Sequence, residues 1–201
     1  MLEPRTAAHR TSVLDTCPSI SIGRKIWVRA LPAAARFVLR SPETVIHSLP
    51  SAAGFDIAMP INRMSENGTR IAARLGPDEW LLIVPERDAE TFAASLSAQL
   101  SSHHHTLVDI GHRNVAFEVS GAAAAAVINS GCPLNLNDDQ FVPGCATRSI
   151  LGKAEIVLMR LIDTTDEHGT AQPRYRIECW RSFGRYLHGF LAEAARSNNA
   201  D

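Results

Sequence analysis

Lysine is scarce in this sequence of 201 residues, because Lys25 and Lys153 are the only two and arginine supplies the other positive charges. The 20 basic residues face 21 acidic ones, which gives a formal net charge of -1. A chain without excess positive charge is not drawn to polyanions, so we predict no nucleic-acid partner. Arginine suits interface ion pairs because its planar guanidinium can bond a carboxylate twice, although a biased codon composition would give the same excess.

Closely spaced cysteine pairs and long apolar runs are also lacking. The four cysteines, Cys17, Cys132, Cys145 and Cys179, lie far apart and form no C-x-x-C pair. We therefore expect reduced, mostly buried thiols rather than a zinc site or a disulfide framework. The N-terminus has no apolar signal segment, and no apolar run approaches the roughly 18 residues that span a bilayer. These absences predict a cytoplasmic protein with no membrane partner.

Motifs for nucleotide binding and covalent catalysis are missing as well. No G-x-G-x-x-G or G-K-[ST] follows a predicted strand, and no Ser, His and Asp have nucleophile-elbow spacing. His103, His104 and His105 are consecutive in a predicted loop, where neighbouring side chains cannot easily converge on one tetrahedral metal ion. We predict a solvated loop there, no metal site and no catalytic residue in this chain.

The stretch "LGPDEWLLIVP", residues 75–85, sets two carboxylates against an apolar run. Pro77 fixes φ and Asp78 can bond its own backbone, so Asp78 and Glu79 are predicted to form a tight turn rather than an acid/base pair. The apolar run that begins at Trp80 does not alternate, which is typical of a strand covered on both faces. Asp88 is predicted to cap the helix that follows.

The two halves of the chain share one order of predicted elements, namely strand, short helix, further strands and a longer helix. Antiparallel strands with helices on one face make an α+β layer. We predict two ferredoxin-like, aminomethyltransferase-like modules of this α+β class, each an antiparallel sheet with helices packed on one face. Their predicted bounds are 21–105 and 106–201, after a flexible N-terminal arm at 1–20.

Four residues are candidates for a subunit interface. Arg113 lies at a predicted bend between strands, where it could present donors to an anion or a partner, and the alternative is a plain hairpin turn. Arg148 flanks a second predicted hairpin, where it is either solvated or part of a subunit contact. Trp180 ends a predicted strand beside Arg181, and Trp and Arg dominate interface hot spots; the alternative for Trp180 is a place in the core.

Several stretches together carry a family resemblance: "LGPDEWLLIVP", "VDIGHRNVAFEVSG", "NSGCPLNLN", "CATRSILGKAEIVLMR" and "YRIECWRSFGRYLHGFLAEAA". In order and spacing the chain resembles the gamma subunit of heterotetrameric sarcosine oxidases over roughly residues 25 to 195. The resemblance implies a fold related to the folate-binding domain of aminomethyltransferases. It also implies a complex that demethylates sarcosine oxidatively to glycine, with hydrogen peroxide and either formaldehyde or methylenetetrahydrofolate as the other products.

The resemblance further implies alpha, beta and delta subunits as partners. FAD, FMN and NAD are then expected in the alpha and beta subunits and zinc in the delta subunit, with no redox cofactor in this chain. The leading hypothesis is a non-catalytic subunit that completes and stabilises the oxidase. A second hypothesis is a folate or one-carbon site that uses Asp109 for the pterin and Arg113 for a glutamate tail. A third hypothesis is a stand-alone small-molecule sensor.

Overall fold

Strands dominate the computed structural model, which describes residues 11–23, 25–49, 51–52 and 54–198. Along the chain, the strands are β1 (Ile20–Ile22), β2 (Ile26–Ala30), β3 (Ala34–Arg40), β4 (Ser51–Ala52), β5 (Phe55–Asp56), β6 (Arg63–Asn67), β7 (Arg70–Arg74), β8 (Glu79–Pro85), β9 (Thr106–Asp109), β10 (Asn114–Ser120), β11 (Ala146–Leu151), β12 (Ala154–Arg160), β13 (Thr164–Thr165), β14 (Ala171–Gln172) and β15 (Arg174–Trp180). The helices are α1 (Glu43–Ser48), α2 (Ala89–Gln99), α3 (Ala124–Asn129) and α4 (Gly184–Ser197). No helix in the described ranges combines the length and apolar character needed to cross a bilayer.

The first sheet has five antiparallel strands in the order β6-β7-β8-β3-β9. Its outer face is covered by α1 and α2, whose Ile46, Phe92 and Leu96 pack in one buried cluster with the sheet. Trp80 lies in this cluster, fully buried, and its indole N–H donates to the Ile57 carbonyl at 2.9 Å. The strand "EWLLIVP" is thus covered on both faces because a second sheet lies against its other side.

The second sheet has six antiparallel strands in the order β1-β2-β10-β15-β12-β11. Its outer face is covered by α3 and α4, whose apolar residues join one large buried cluster with the sheet. The apolar stripe predicted for α4 follows from its helical spacing, and Leu187 and Leu191 are both fully buried on it. The inner faces of the two sheets meet through a smaller cluster, formed by Met64, Ile71, Ala73, Leu81, Ile83, Ala146, Met159 and Leu161.

The two sheets are connected through the backbone at one edge of each sheet. At the joined side, β6 and the residues before β11 make an antiparallel bridge between Arg63 and Cys145. Two backbone hydrogen bonds flank this bridge, from Met64 N–H to the Gly144 carbonyl at 2.8 Å and from Ala146 N–H to the Asn62 carbonyl at 3.0 Å. At the other side β9 is an edge strand, because no described strand pairs with it beyond β3.

The strands are not divided between the two sheets at residue 105, where the boundary between the two modules was predicted. Strand β2 precedes that point but pairs with β10, because Ile26 and Val28 fill the core of the second sheet. Strand β9 follows that point but pairs with β3, where Leu107 packs on the core of the first sheet. The second sheet therefore takes β1 and β2 from before the predicted boundary, and the first sheet takes β9 from after it.

Two local predictions also differ from the structure. Of the predicted arm, residues 1–10 lie outside the described residues, whereas Leu14 is buried in the core of the second sheet. The prediction that the Asp88 side chain caps α2 is wrong. The chain enters α2 through a 3-10 turn at Glu86–Asp88, and the Asp88 carboxylate accepts a hydrogen bond from Arg70 at 3.0 Å instead.

Candidate functional site

The candidate site is a cavity of about 330 Å³ at one end of the contact between the two sheets. We call it the wedge cavity, and its wall takes residues from both sheets. Its charged and aromatic wall residues are Glu79, Arg113, Arg148, Glu155, Glu178 and Trp180. Its apolar wall residues are Val38, Leu75, Leu81, Ile110, Ile150, Ile156 and Val157.

The alternation of strand β15 places its polar side chains on the inner face. Tyr175, Ile177 and Cys179 are buried in the outer core, so Glu178 and Trp180 point the opposite way, toward the first sheet. Antiparallel register continues this polar row sideways, since Arg176 pairs with Glu118 on β10 and Glu118 pairs with Arg29 on β2. The inner face of the second sheet therefore carries charge in a place where a sandwich usually carries apolar residues.

Glu178 is the centre of an ion-pair triad between the sheets. Its Oε2 accepts from Nε of Arg36 on β3 at 2.6 Å, and its Oε1 accepts from Nη2 of Arg176 at 2.6 Å. The side chains of Glu178 and Arg36 are 0% and 3% exposed. Burial alone would raise the pKa of Glu178, but the charges and hydrogen bonds of Arg176 and Arg36 outweigh it, so this pKa lies below its ordinary value. Glu178 is thus held as a carboxylate.

Glu79 belongs to a second ion-pair cluster in the wall of the wedge cavity. Its Oε2 accepts from Arg40 at 2.8 Å and its Oε1 from Arg148, while Arg40 also bonds Asp78 at 3.0 Å. The Leu75 N–H donates to the Glu79 carbonyl at 2.9 Å and closes the loop between β7 and β8. Both acids therefore have structural partners, and Arg148 connects the edge of the second sheet to the start of β8.

The remaining candidate residues lie around the mouth of the wedge cavity. The Arg113 guanidinium carbon is 5.9 Å from the centroid of the Trp180 ring, and Arg113 Nε donates to the Asn114 side chain at 3.3 Å. The backbone N–H of Arg181 donates to the Arg113 carbonyl at 2.8 Å, so the backbones of these two exposed arginines are adjacent. Arg113, Arg148 and Trp180 thus share one cavity wall, with Arg181 adjoining it.

Asp109 is placed apart from that wall. Its Oδ1 accepts from the Gly111 N–H at 2.7 Å, in a turn that leads from β9 toward β10. The side chain is exposed and is not among the residues that line the wedge cavity. Asp109 and Arg113, the pair considered for a folate site, are therefore not brought together in this cavity.

The chemistry available at the site is that of ion pairs and surface contacts. Burial raises the pKa of the Cys179 thiol to about 12, with a smaller contribution from the Glu178 charge, so no thiolate nucleophile forms near neutral pH. Within the described ranges, no three His, Cys, Asp or Glu side chains are grouped so that they could hold a metal ion.

Arg36 and Glu178 are the most important residues that sequence reasoning missed. The alternation in "RYRIECW" places Arg174, Arg176 and Glu178 on one polar face. Such alternation predicts a half-buried strand whose polar face is exposed to solvent. A signal was available in the pattern of "AARFVLR", where Arg36 falls on the face opposite Phe37 and Leu39. The carboxylate of Glu178 can pair with the guanidinium of Arg36 when these two faces are buried against each other, but the pattern of a single strand does not reveal this.

Comparison with known proteins gives a consistent result. The family model of the sarcosine oxidase gamma subunit matches residues 43–197. A curated sarcosine oxidase subunit gamma from Corynebacterium sp. (strain P-1) is 30% identical over 141 residues, which are 70% of this chain and 64% of that relative. The matched part of this chain therefore spans less than two thirds of that relative's length.

Two solved structures share the fold. One is the heterotetrameric sarcosine oxidase from Corynebacterium sp. U-96 in complex with pyrrole 2-carboxylate, with a TM-score of 0.75, 20% identity, and coverage of 91% of this chain and 90% of the matched chain. The other is the glycine cleavage system aminomethyltransferase T from Bartonella henselae, with a TM-score of 0.61 and 15% identity, covering 82% of this chain and 44% of that one. These matches confirm the predicted α+β class and its aminomethyltransferase-like fold.

Proposed function

Because the chain belongs to the sarcosine oxidase gamma subunit family, we propose that it is a non-catalytic subunit that assembles and stabilises a heterotetrameric oxidase. Its contribution is a rigid double sheet whose charged side chains are used for internal ion pairs. The partners are the alpha, beta and delta subunits, as the sequence resemblance implies. FAD, FMN, NAD and zinc would be held by those subunits, and the reaction would be the oxidative demethylation of sarcosine to glycine.

One observation carries the proposal of a non-catalytic role. Glu79, Glu118 and Glu178 are the buried carboxylates of the described residues, and each of them is bonded to at least two arginines. A general acid needs a carboxyl group whose pKa is raised toward the working pH. The pKa values of Glu118 and Glu178 lie below their ordinary values, because their arginine partners outweigh the effect of burial. Such carboxylates are suited to holding a fold rather than to moving protons.

The proposal is tested by co-expressing the partner subunits with and without this chain. We expect the chain to co-elute with flavin absorbance on size exclusion, and the complex without it to unfold at a lower temperature. We also expect sarcosine to reduce the flavin in that incomplete complex at a comparable rate per flavin in a single turnover. A folded, flavin-loaded complex that sarcosine no longer reduces would contradict the non-catalytic role, and failure to co-elute would contradict the role in assembly.

A folate-binding function has one observation in its favour, which is the volume of the wedge cavity. About 330 Å³ lies at the lower end of the range for small-molecule sites, and Arg113 in the wall could receive a carboxylate. Asp109, the expected pterin ligand, lies outside the cavity. Calorimetry with tetrahydrofolate separates the two functions, because the assembly role predicts no heat of binding at millimolar ligand.

A further inference from the structure

Exposed apolar side chains collect at the mouth of the wedge cavity. Ile150 and Trp180 line the cavity and remain 49% and 46% exposed. Val108 is 52% exposed and is the cross-strand partner of Val38, a cavity residue, so both side chains stand on the same face of the first sheet. Val108 lies on the edge strand β9, which no described strand covers from outside. Two large exposed apolar groups thus line the cavity, and Val108 stands beside a third wall residue, Val38.

Positive charge without an internal partner lies beside these groups. Most described arginines form an ion pair, including Arg148 at the same cavity. Arg113 and Arg181 are exposed and pair with no carboxylate among the described residues. Glu155 is the exposed carboxylate of the opposite wall, and it too forms no ion pair with either arginine in the described part of the chain. We call Val108, Arg113, Ile150, Trp180 and Arg181 the mouth patch.

We propose that the mouth patch docks another subunit of the oxidase, and that the occupant is a segment carrying one apolar side chain and at least one carboxylate. The apolar side chain enters the wedge cavity between Ile150 and Trp180. The carboxylate pairs with Arg113, which is already oriented by its contact with the Trp180 ring. This inference rests on the proposed assembly function and adds to it the surface and the chemistry of the contact.

The composition of the patch fits an interface in two respects. Trp and Arg are the residue types that dominate binding hot spots, and here the Arg113 guanidinium lies over the Trp180 ring in the wall of a cavity that can receive an anchor. The patch is also rigid, because Trp180 ends a central strand and Ile150 lies in a six-residue strand. A rigid surface loses little conformational entropy when a partner binds.

The test is a competition for incorporation into the complex. Wild-type and variant chains with different tags are expressed together with the partner subunits, and their ratio in the flavin-containing complex is divided by their ratio in the free soluble pool. The test variants are Ile150→Glu and Arg113→Glu. The matched controls are Ile162→Glu, at a side chain that is 64% exposed away from the cavity, and Arg196→Glu, near the far end of α4 with a side chain 66% exposed.

We expect each test variant to be under-represented in the complex by roughly tenfold or more, the effect of losing a hot-spot residue, and each control to be incorporated as well as wild type. Division by the soluble pool removes any difference in folding yield. Equal incorporation of all four variants would overturn the mouth patch as the docking surface and leave the assembly function standing. Absence of the wild-type chain from the complex would overturn the assembly function, and this inference with it.

Discussion

Replacing Glu178 with glutamine tests whether the buried triad holds the two sheets together. The substitution keeps the shape of the side chain but removes the charge between Arg36 and Arg176. Arg36 is then left with an uncompensated charge in a place where its side chain is 3% exposed. Breaking one partner of such a buried pair costs about 3 to 5 kcal/mol. That loss is a large share of the roughly 5 to 15 kcal/mol that stabilises a typical domain.

The assay is urea unfolding of the isolated chain, read as the shift in midpoint at constant slope. Glu118→Gln is the matched control, because Glu118 also bonds two arginines but one of them, Arg29, is 57% exposed and can be solvated. We expect the control to cost about 1 kcal/mol or less. The double variant Arg36→Met/Glu178→Met should recover part of the loss, since it removes the most deeply buried pair together and leaves only Arg176, whose side chain is 11% exposed, without its carboxylate. A cost for Glu178→Gln that is no larger than that of the control would refute the reasoning.

Three further predictions follow from the same structure. Because the pKa of Glu178 lies below its ordinary value of about 4.3, the stability difference between wild type and Glu178→Gln should be constant above about pH 5.5 and shrink as the pH falls below 4, which acid titration of the urea midpoint measures. Gly121→Ala should cost at least about 2 kcal/mol in the same assay, because φ is +112° and the new Cβ would lie 2.4 Å from the Lys25 carbonyl oxygen. Gly68→Ala is the control: φ is +62° and no atom lies within 4 Å of the new Cβ, so it should cost only about 1 kcal/mol. Cys179, with a pKa of about 12, should resist iodoacetamide at pH 8 and react only after unfolding, as mass spectrometry would show; rapid labelling of the folded chain would contradict its buried environment.

Local patterns were sufficient to predict most elements but not their partners. The apolar run from Trp80 and the helical stripe that includes Leu187 and Leu191 depend on near neighbours in sequence, and both elements occur where they were predicted. The pairing of β2 with β10 and of β9 with β3 depends on which core each strand fills, which no local pattern encodes. The predicted boundary between the modules therefore differs from the observed division of the sheets, because the chain crosses from one sheet to the other at β2 and at β9.

The candidate site shows the same limit. Residue type and a place beside a predicted bend, hairpin or strand end mark Arg113, Arg148 and Trp180 in the sequence, and the structure gathers all three in the wall of one cavity. Their role as an interface remains a prediction. Arg36 and Glu178 were missed because they lie 142 residues apart in sequence and neither is unusual in its own strand.

The scarcity of lysine is partly explained by the contacts of the buried arginines. Arg74 is 3% exposed, donates to the carbonyls of Met59, Gly76 and Pro77 and to the Glu43 carboxylate, and lies 5.0 Å from the Trp80 ring centroid. A lysine has three donors on one compact, strongly hydrated ammonium, so it could neither reach these four acceptors nor lie flat on the ring. At this position a codon bias alone does not account for arginine. The fold requires a planar cation with donors along its whole edge, and the triad around Glu178 imposes the same requirement on Arg36.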